Sequence, residues 1–188
     1  MKKIVTFVFL ALLIPGLAAA ADNYNVDKVH SSVLFRIQHL GVSYVWGRFN
    51  DISGTFTIDE AAPDKSVVDI TVKTESVDTD DAKRDKHLRS PDFFNAKTFP
   101  VMTFKSTSVK SDGKDHLAVT GELTLHGVTK TVTIPVTRIG TGKDPWGGTR
   151  TGFEGELTIK RSDYGVSYMP GGLGEDVRLV LGIEGVRN

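Results

Sequence analysis

The 188-residue chain contains no cysteine. Disulfide staples, thiolate metal centres and a lipidated cysteine anchor are thereby excluded, so stability has to come from the packed core alone. Net charge is also missing, with 23 basic against 23 acidic residues, and no Lys/Arg stripe interleaves with aromatics. Nucleic-acid binding is disfavoured on both counts. Common catalytic signatures are absent as well: there is no G-x-S-x-G and no H-E-x-x-H, and Gly113-Lys114 and Gly142-Lys143 are each followed by Asp instead of the Ser or Thr of a phosphate loop. His30, His39, His87, His116 and His126 are too dispersed for a local metal-ligand spacing, although distant residues can converge in space. Asp78, Asp80, Asp81 and Asp85 lack the Gly and terminal Glu of a calcium loop and read as solvated helix-start carboxylates.

There is one long apolar run, Ile4 to Ile14, preceded by Lys2 and Lys3 and followed by Pro15-Gly16 and Ala18-Ala19-Ala20. It is too short to span a bilayer and has the layout of a secretory signal peptide. Residues 1–20, or 1–21 if cleavage follows Ala21, are expected to be removed. That leaves a single domain over 21–188, addressed to the periplasm, with a net charge of about −2 once the two lysines are lost.

The remainder reads as β-structure. Eight extended candidates, rich in Val, Ile, Thr and Phe, run Val33 to Leu40, Trp46 to Ile58, Val67 to Val77, Val101 to Val109, Leu117 to Leu125, Val128 to Ile139, Thr151 to Arg161 and Val177 to Val186. Short turn-forming connections such as Ser111-Asp112-Gly113 and His126-Gly127 imply antiparallel neighbours. Eight such strands form a sandwich or a barrel, and their length favours closure. Alternation sends Val33, Phe35, Ile37 and His39 inward on the first strand, Leu117, Val119, Gly121, Leu123 and Leu125 on the fifth, and Phe153, Gly155, Leu157 and Ile159 on the seventh. Gly121 and Gly155 are either bends of the wall or spaces along an apolar lumen.

One segment departs from alternation. Between Thr79 and Arg89 the chain is dense in charge and free of Gly and Pro, and Phe93, Phe94 and Phe99 follow the Ser90-Pro91 break. This predicts a helix at about residues 80–90, anchored by the aromatics as a lid or plug at one end. Arg84 on it is either a surface ion-pair partner of Asp78, Asp81 or Asp85, or a guanidinium at the lumen mouth suited to a carboxylate or phosphate head group. His39 is either a hydrogen-bonded core histidine or a contact for a ligand's polar group.

Four stretches in order carry a resemblance: Phe35-Arg36-Ile37-Gln38-His39-Leu40-Gly41; Ser76-Val77-Asp78-Thr79 with Arg84 to Ser90 and Asp92-Phe93-Phe94; Gly121 to Thr129; and Gly152-Phe153-Glu154. They resemble the YceI-like family of secreted bacterial proteins, across essentially the whole mature chain. Lys160 and Tyr164 depart from the usual Asn and Phe.

The resemblance implies an all-β fold: an eight-stranded antiparallel lipocalin-like β-barrel with one α-helix near one end and a long hydrophobic pore. It implies a non-enzymatic periplasmic protein holding a polyisoprenoid, such as an isoprenoid quinone or prenyl chain, or a similar long amphiphile, for transport or storage. The expected pore lining is Val33, Phe35, Ile37, His39, Phe49, Ile70, Val72, Met102, Phe104, Leu123, Leu157, Ile159, Leu179 and Leu181, with Arg84 and His87 as head-group contacts. No metal or cofactor is expected apart from the bound lipid or quinone. A transient contact with a membrane or a membrane redox protein is the further partner, and the oligomeric state, a dimer included, is open. An enzyme acting on isoprenoid lipids, with His39 or His87 as acid or base, and a stress or structural protein without a ligand are the alternatives.

Overall fold

The computed structural model describes residues 21–113 and 115–188, so the expected signal segment at 1–20 lies outside the described residues. Eleven strands occur: β1 Asp22–Val26, β2 Ser32–His39, β3 Ser43–Phe49, β4 Ile52–Ile58, β5 Val67–Lys73, β6 Val77–Asp78, β7 Val101–Ser111, β8 His116–Leu125, β9 Val128–Lys143, β10 Thr149–Lys160 and β11 Leu173–Arg187. All pair antiparallel, and the ring β1-β4-β5-β7-β8-β9-β10-β11 closes through β1–β11. β2, β3 and β6 prolong β1, β4 and β5 beyond local interruptions. β1 and β2 both run along β11, the first opposite Gly185 to Arg187 and the second opposite Leu173 to Gly182. The result is a closed barrel of eight long strands in which the first three are each broken once.

Three sequence expectations need correction. β1 was not among the eight candidates, because Asp22-Asn23-Tyr24-Asn25-Val26 has too few apolar residues to show alternation, yet Tyr24 is buried and stacks on Phe56 at 5.1 Å. Trp46 to Ile58 divides into two strands at Asn50-Asp51, where Asn50 and Asp51 turn their backbone amides to Ser76. The helix, α1, is shorter than 80–90, spanning Ala82–Leu88. Its start is set by Asp81, whose side chain accepts from the Arg84 amide at 2.7 Å, and its end by the approach to Pro91.

Strong contacts fasten α1 to the barrel. Asp85 is buried and accepts from both the amide and the hydroxyl of Thr79, while Arg89 donates to the carbonyls of Glu75 (2.7 Å) and Val77 (2.8 Å). Thr74, also buried, donates to the Phe99 carbonyl at 2.8 Å and ties down the segment after the helix. Phe94 enters the core edge-on to Phe49 at 5.5 Å.

Neither inward glycine leaves an open space. A Cβ at Gly121 would overlap the Phe104 ring and the backbone of β7, opposite the register shift at Ser106 to Ser108; one at Gly155 would press on β9 at Ile134 and Val136. These are positions where the wall bends or a neighbour closes in. Gly47 is similar: a Cβ there would collide with the Phe35 ring and the Thr79 methyl. Since both are buried, Gly47→Ala is expected to cost about 1–3 kcal/mol, measured by urea denaturation.

Candidate functional site

One elongated cavity of about 870 Å³ runs inside the barrel. Its walls are rows of cross-strand neighbours. On one side Ile70, Phe104 and Leu123 lie side by side across β5, β7 and β8, with Val72 and Met102 as the next row. On the other, Phe49, Val33 and Leu181 align across β3, β2 and β11, and Leu179 pairs with both Phe35 and Leu157. Ile37, His39 and Ile159 continue these walls toward α1. From Phe153 to Arg161, along β10 and its first residue beyond, the lining covers eight residue steps, roughly 26 Å at 3.3 Å each. All fourteen residues expected in the lumen therefore border the cavity, as do Arg84 and His87 at the α1 end.

The α1 end is polar and aromatic. Arg84 donates to the Thr79 hydroxyl (2.7 Å) and carbonyl (2.5 Å), and among the described residues it has no ion-pair partner, so the expected pairing with Asp78, Asp81 or Asp85 is corrected. Those carboxylates serve other bonds: Asp78 accepts from Asn50, Asp81 caps α1 and Asp85 holds Thr79. The Asp81 carboxyl is held below its ordinary range first by the Arg84 amide. His87 bonds to Asp92 at 2.8 Å and meets Phe93 and Tyr168 edge-on at 5.0 and 5.2 Å, bridging α1 to the loop after β10. His39 is half-buried at this end, and its imidazole makes no hydrogen bond among the described residues, so it is not a satisfied core histidine.

Arg161 was missed as a site residue. It is 4% exposed, and its guanidinium donates to the carbonyls of Gly174 (2.9 Å), Val166 (3.1 Å), Tyr168 (2.7 Å) and Leu173 (3.4 Å), folding the loop that forms part of the mouth. Glu175 stands 3.4 Å away, its carboxyl held low first by Ser162 and then by this charge. Tyr164 beside it is buried, which pushes its phenol up, with Asp163 adding to the effect. At the opposite end Arg138 lines the cavity over the Phe153 ring and donates to Glu60 at 2.6 Å. Parity carried both signals: 157, 159 and 161 alternate inward on β10 and its continuation, as 134, 136 and 138 do on β9.

Among the described residues, Asp27, His30 and Glu184 converge where a cation could be held. Arg150 already occupies this place. Its Nη1 lies 2.5 Å from Asp27 and 2.7 Å from Glu184, and its Nε is 3.0 Å from Asp144. Asp27 is held far below its ordinary value by the His30 and then the Arg150 hydrogen bonds. Burial pushes Asp144 up, but the Gly148 amide and Arg150 outweigh it and the net shift is downward. Depressed carboxylates stabilise the fold above their unfolded value of about 3.8 and lose that contribution as pH falls below it. Arg150→Met is therefore expected to lower Tm most at pH 7, where three carboxylates face one another, and the gap to wild type should narrow below about pH 4. Melting curves at pH 7, 5 and 3 check this.

Comparison with known proteins agrees with the geometry. A family model described as YceI-like domain matches residues 24–185. Protein YceI of Escherichia coli O157:H7 is 48% identical over 188 residues, covering 99% of this chain and 98% of that one. A UPF0312 protein of Pseudomonas aeruginosa is 51% identical over 179 residues, 94% of this chain and 93% of its own. Among solved structures, Burkholderia cenocepacia BcnA superposes with a TM-score of 0.78 at 28% identity, covering 85% of this chain and 98% of that one. A polyisoprenoid binding domain from Saccharophagus degradans, implicated in plant cell wall breakdown, shares the fold with a TM-score of 0.67 at 21% identity, over 88% and 98% of the two chains. With its closed eight-stranded barrel, the helix at one mouth and near-full-length likeness to these relatives, the chain belongs to the YceI-like family.

Proposed function

We propose that the protein is a periplasmic lipid carrier that holds a polyisoprenoid, such as a quinone or prenyl chain, or a similar long amphiphile inside the barrel. The observation that carries this reading is the apolar cavity running lengthwise between two polar ends. A tube walled largely by Val, Leu, Ile and Phe offers an extended chain an apolar path, with no catalytic constellation needed. Burial contributes about 0.8 kcal/mol per methylene, so ten buried carbons could gain on the order of 8 kcal/mol before ordering costs. Chain length then sets affinity. Arg84, whose guanidinium meets no carboxylate among the described residues, and His87 are the groups that meet an anionic or carbonyl head group at the mouth. The fold shared with a polyisoprenoid binding domain is consistent with this ligand class.

Native mass spectrometry after gentle extraction from the periplasm tests the proposal. Recovery from the periplasmic fraction with an added long-chain lipid mass is expected; a protein that carries only its own mass there, and takes up no prenyl quinone when offered one, would overturn it.

A further inference from the structure

Next to the α1 end of the cavity the barrel carries an exposed apolar surface. The turn joining β2 to β3 holds Leu40 at 56% and Val42 at 86% exposure, and the neighbouring loop holds Tyr168 at 43% and Met169 at 39%. The Leu40 amide donates to the Gly172 carbonyl at 2.8 Å, so the two loops lie side by side. Leu40 and Met169 both adopt positive φ, 52° and 56°, a conformation large side chains rarely take. Tyr168 and Met169 also line the cavity, which makes this surface continuous with the mouth.

Behind the tip the outward row of β3 is aromatic and basic. Tyr44 and Trp46 are each 51% exposed, and Arg36 lies over both rings at 4.3 and 5.7 Å. Along the tilted strand Tyr44 stands about 7 Å and Trp46 about 13 Å behind Val42. Aliphatic tip, aromatic belt and basic collar follow in the order in which a bilayer presents acyl chains, carbonyl region and phosphates. Charge points the same way. In a chain of balanced charge, residues 31–50 contain Arg36, Arg48 and His39 and no carboxylate, and residues 165–174 carry no charge at all; Arg48 faces Asp78 at 3.8 Å, while Arg36 makes no ion pair among the described residues. A protein partner has no such depth-ordered demand.

We infer that the β2–β3 turn and the Tyr168–Met169 loop dock this end of the barrel onto an anionic phospholipid bilayer. Leu40, Val42 and Met169 enter the acyl boundary, Tyr44 and Trp46 sit at head-group level, and Arg36 meets phosphates. The cavity mouth then opens onto the membrane, where a long apolar chain can pass without crossing water. The docking surface stands on its own residues and does not depend on the identity of the cargo.

The chain has two tryptophans, Trp46 and Trp146, and Trp146 is exposed in the turn between β9 and β10, so Trp146→Phe leaves Trp46 as the sole indole reporter. Added to phosphatidylglycerol vesicles, this variant is expected to shift its emission to the blue and to sediment with them, more weakly at high salt and with phosphatidylcholine. Val42→Asp in the same background, at a site too exposed to affect folding, should weaken sedimentation about tenfold. Unchanged Trp46 emission with phosphatidylglycerol, or equal sedimentation of the Val42→Asp variant, would overturn the inference. So would a dimer that Val42→Asp converts to monomer while neither form sediments, since the face would then belong to a second copy. Native mass on the same samples separates the two proposals: a lipid-loaded protein that ignores vesicles defeats docking alone, and vesicle binding by a protein that carries no lipid and takes up no prenyl quinone when offered one defeats the carrier reading alone.

Discussion

Leu157→Asp should leave the protein folded and strip it of bound lipid. Leu157 lies mid-strand on β10, half-buried, paired with Leu179 and facing the lumen, and it packs against the clusters around Phe104 and around Tyr164. An ionised carboxylate placed there touches any chain threaded through the barrel. Holding it against hydrocarbon costs several kcal/mol, and about 2.8 kcal/mol already corresponds to a hundredfold loss of affinity. In the empty barrel the same carboxylate can draw water into the cavity, so the loss of fold stability should be smaller, about 1–3 kcal/mol. Leu157→Met, close in volume and apolar, should keep both lipid and stability. The measurement is native mass after purification, beside thermal melting of the same samples. A folded Leu157→Asp protein that still carries a long-chain lipid would mean that the ligand lies somewhere other than this cavity.

Alternation was enough to place the walls because a closed barrel enforces it: every inward position must be apolar or fill space, and every outward one meets water. Ile70, Val72, Phe104 and Leu123 are legible for that reason. β1 was not, since its burial comes from one tyrosine that a partner ring on β4 covers, a tertiary fact with no local pattern. The breaks at 27–31, 50–51 and 74–76 were equally hidden. They are made by side-chain bonds between segments distant in sequence, such as Asp51 to Ser76 and Thr74 to Phe99. At the α1 end the charged residues could be listed from sequence but not paired, because Thr79, a neutral residue, turned out to organise both Arg84 and Asp85. Gly121 and Gly155 were ambiguous for a physical reason: a missing Cβ can mean empty space or an intruding neighbour, and here the neighbours intrude. Arg138 and Arg161 were not among the expected site residues, although their parity pointed inward.

Arg161 supports the second large prediction. Its guanidinium replaces a strand's worth of pairing for residues 166–174, taking up four carbonyls from a segment whose own regular structure is minimal. Only an arginine offers donors spread widely enough across one plane to do this. Lysine supplies a point charge on a flexible stem. Arg161→Met keeps the apolar stem but leaves those carbonyls without donors at a position 4% exposed, and it frees Glu175 from its nearest cation. The expected loss is about 3 kcal/mol, which for a domain of this size lowers Tm by roughly 6–12 °C. Arg161→Lys should fall between the two. The loop should also lose order before the barrel does, because its apolar contacts are few. Amide exchange at Val166 to Gly174 is expected to quicken in Arg161→Met while β7 and β8 stay protected. If the variant melts with the wild type, or if exchange quickens evenly around the barrel, Arg161 is not what shapes the mouth, and the Tyr168 and Met169 rim must be held by the His87 and Phe93 rings instead.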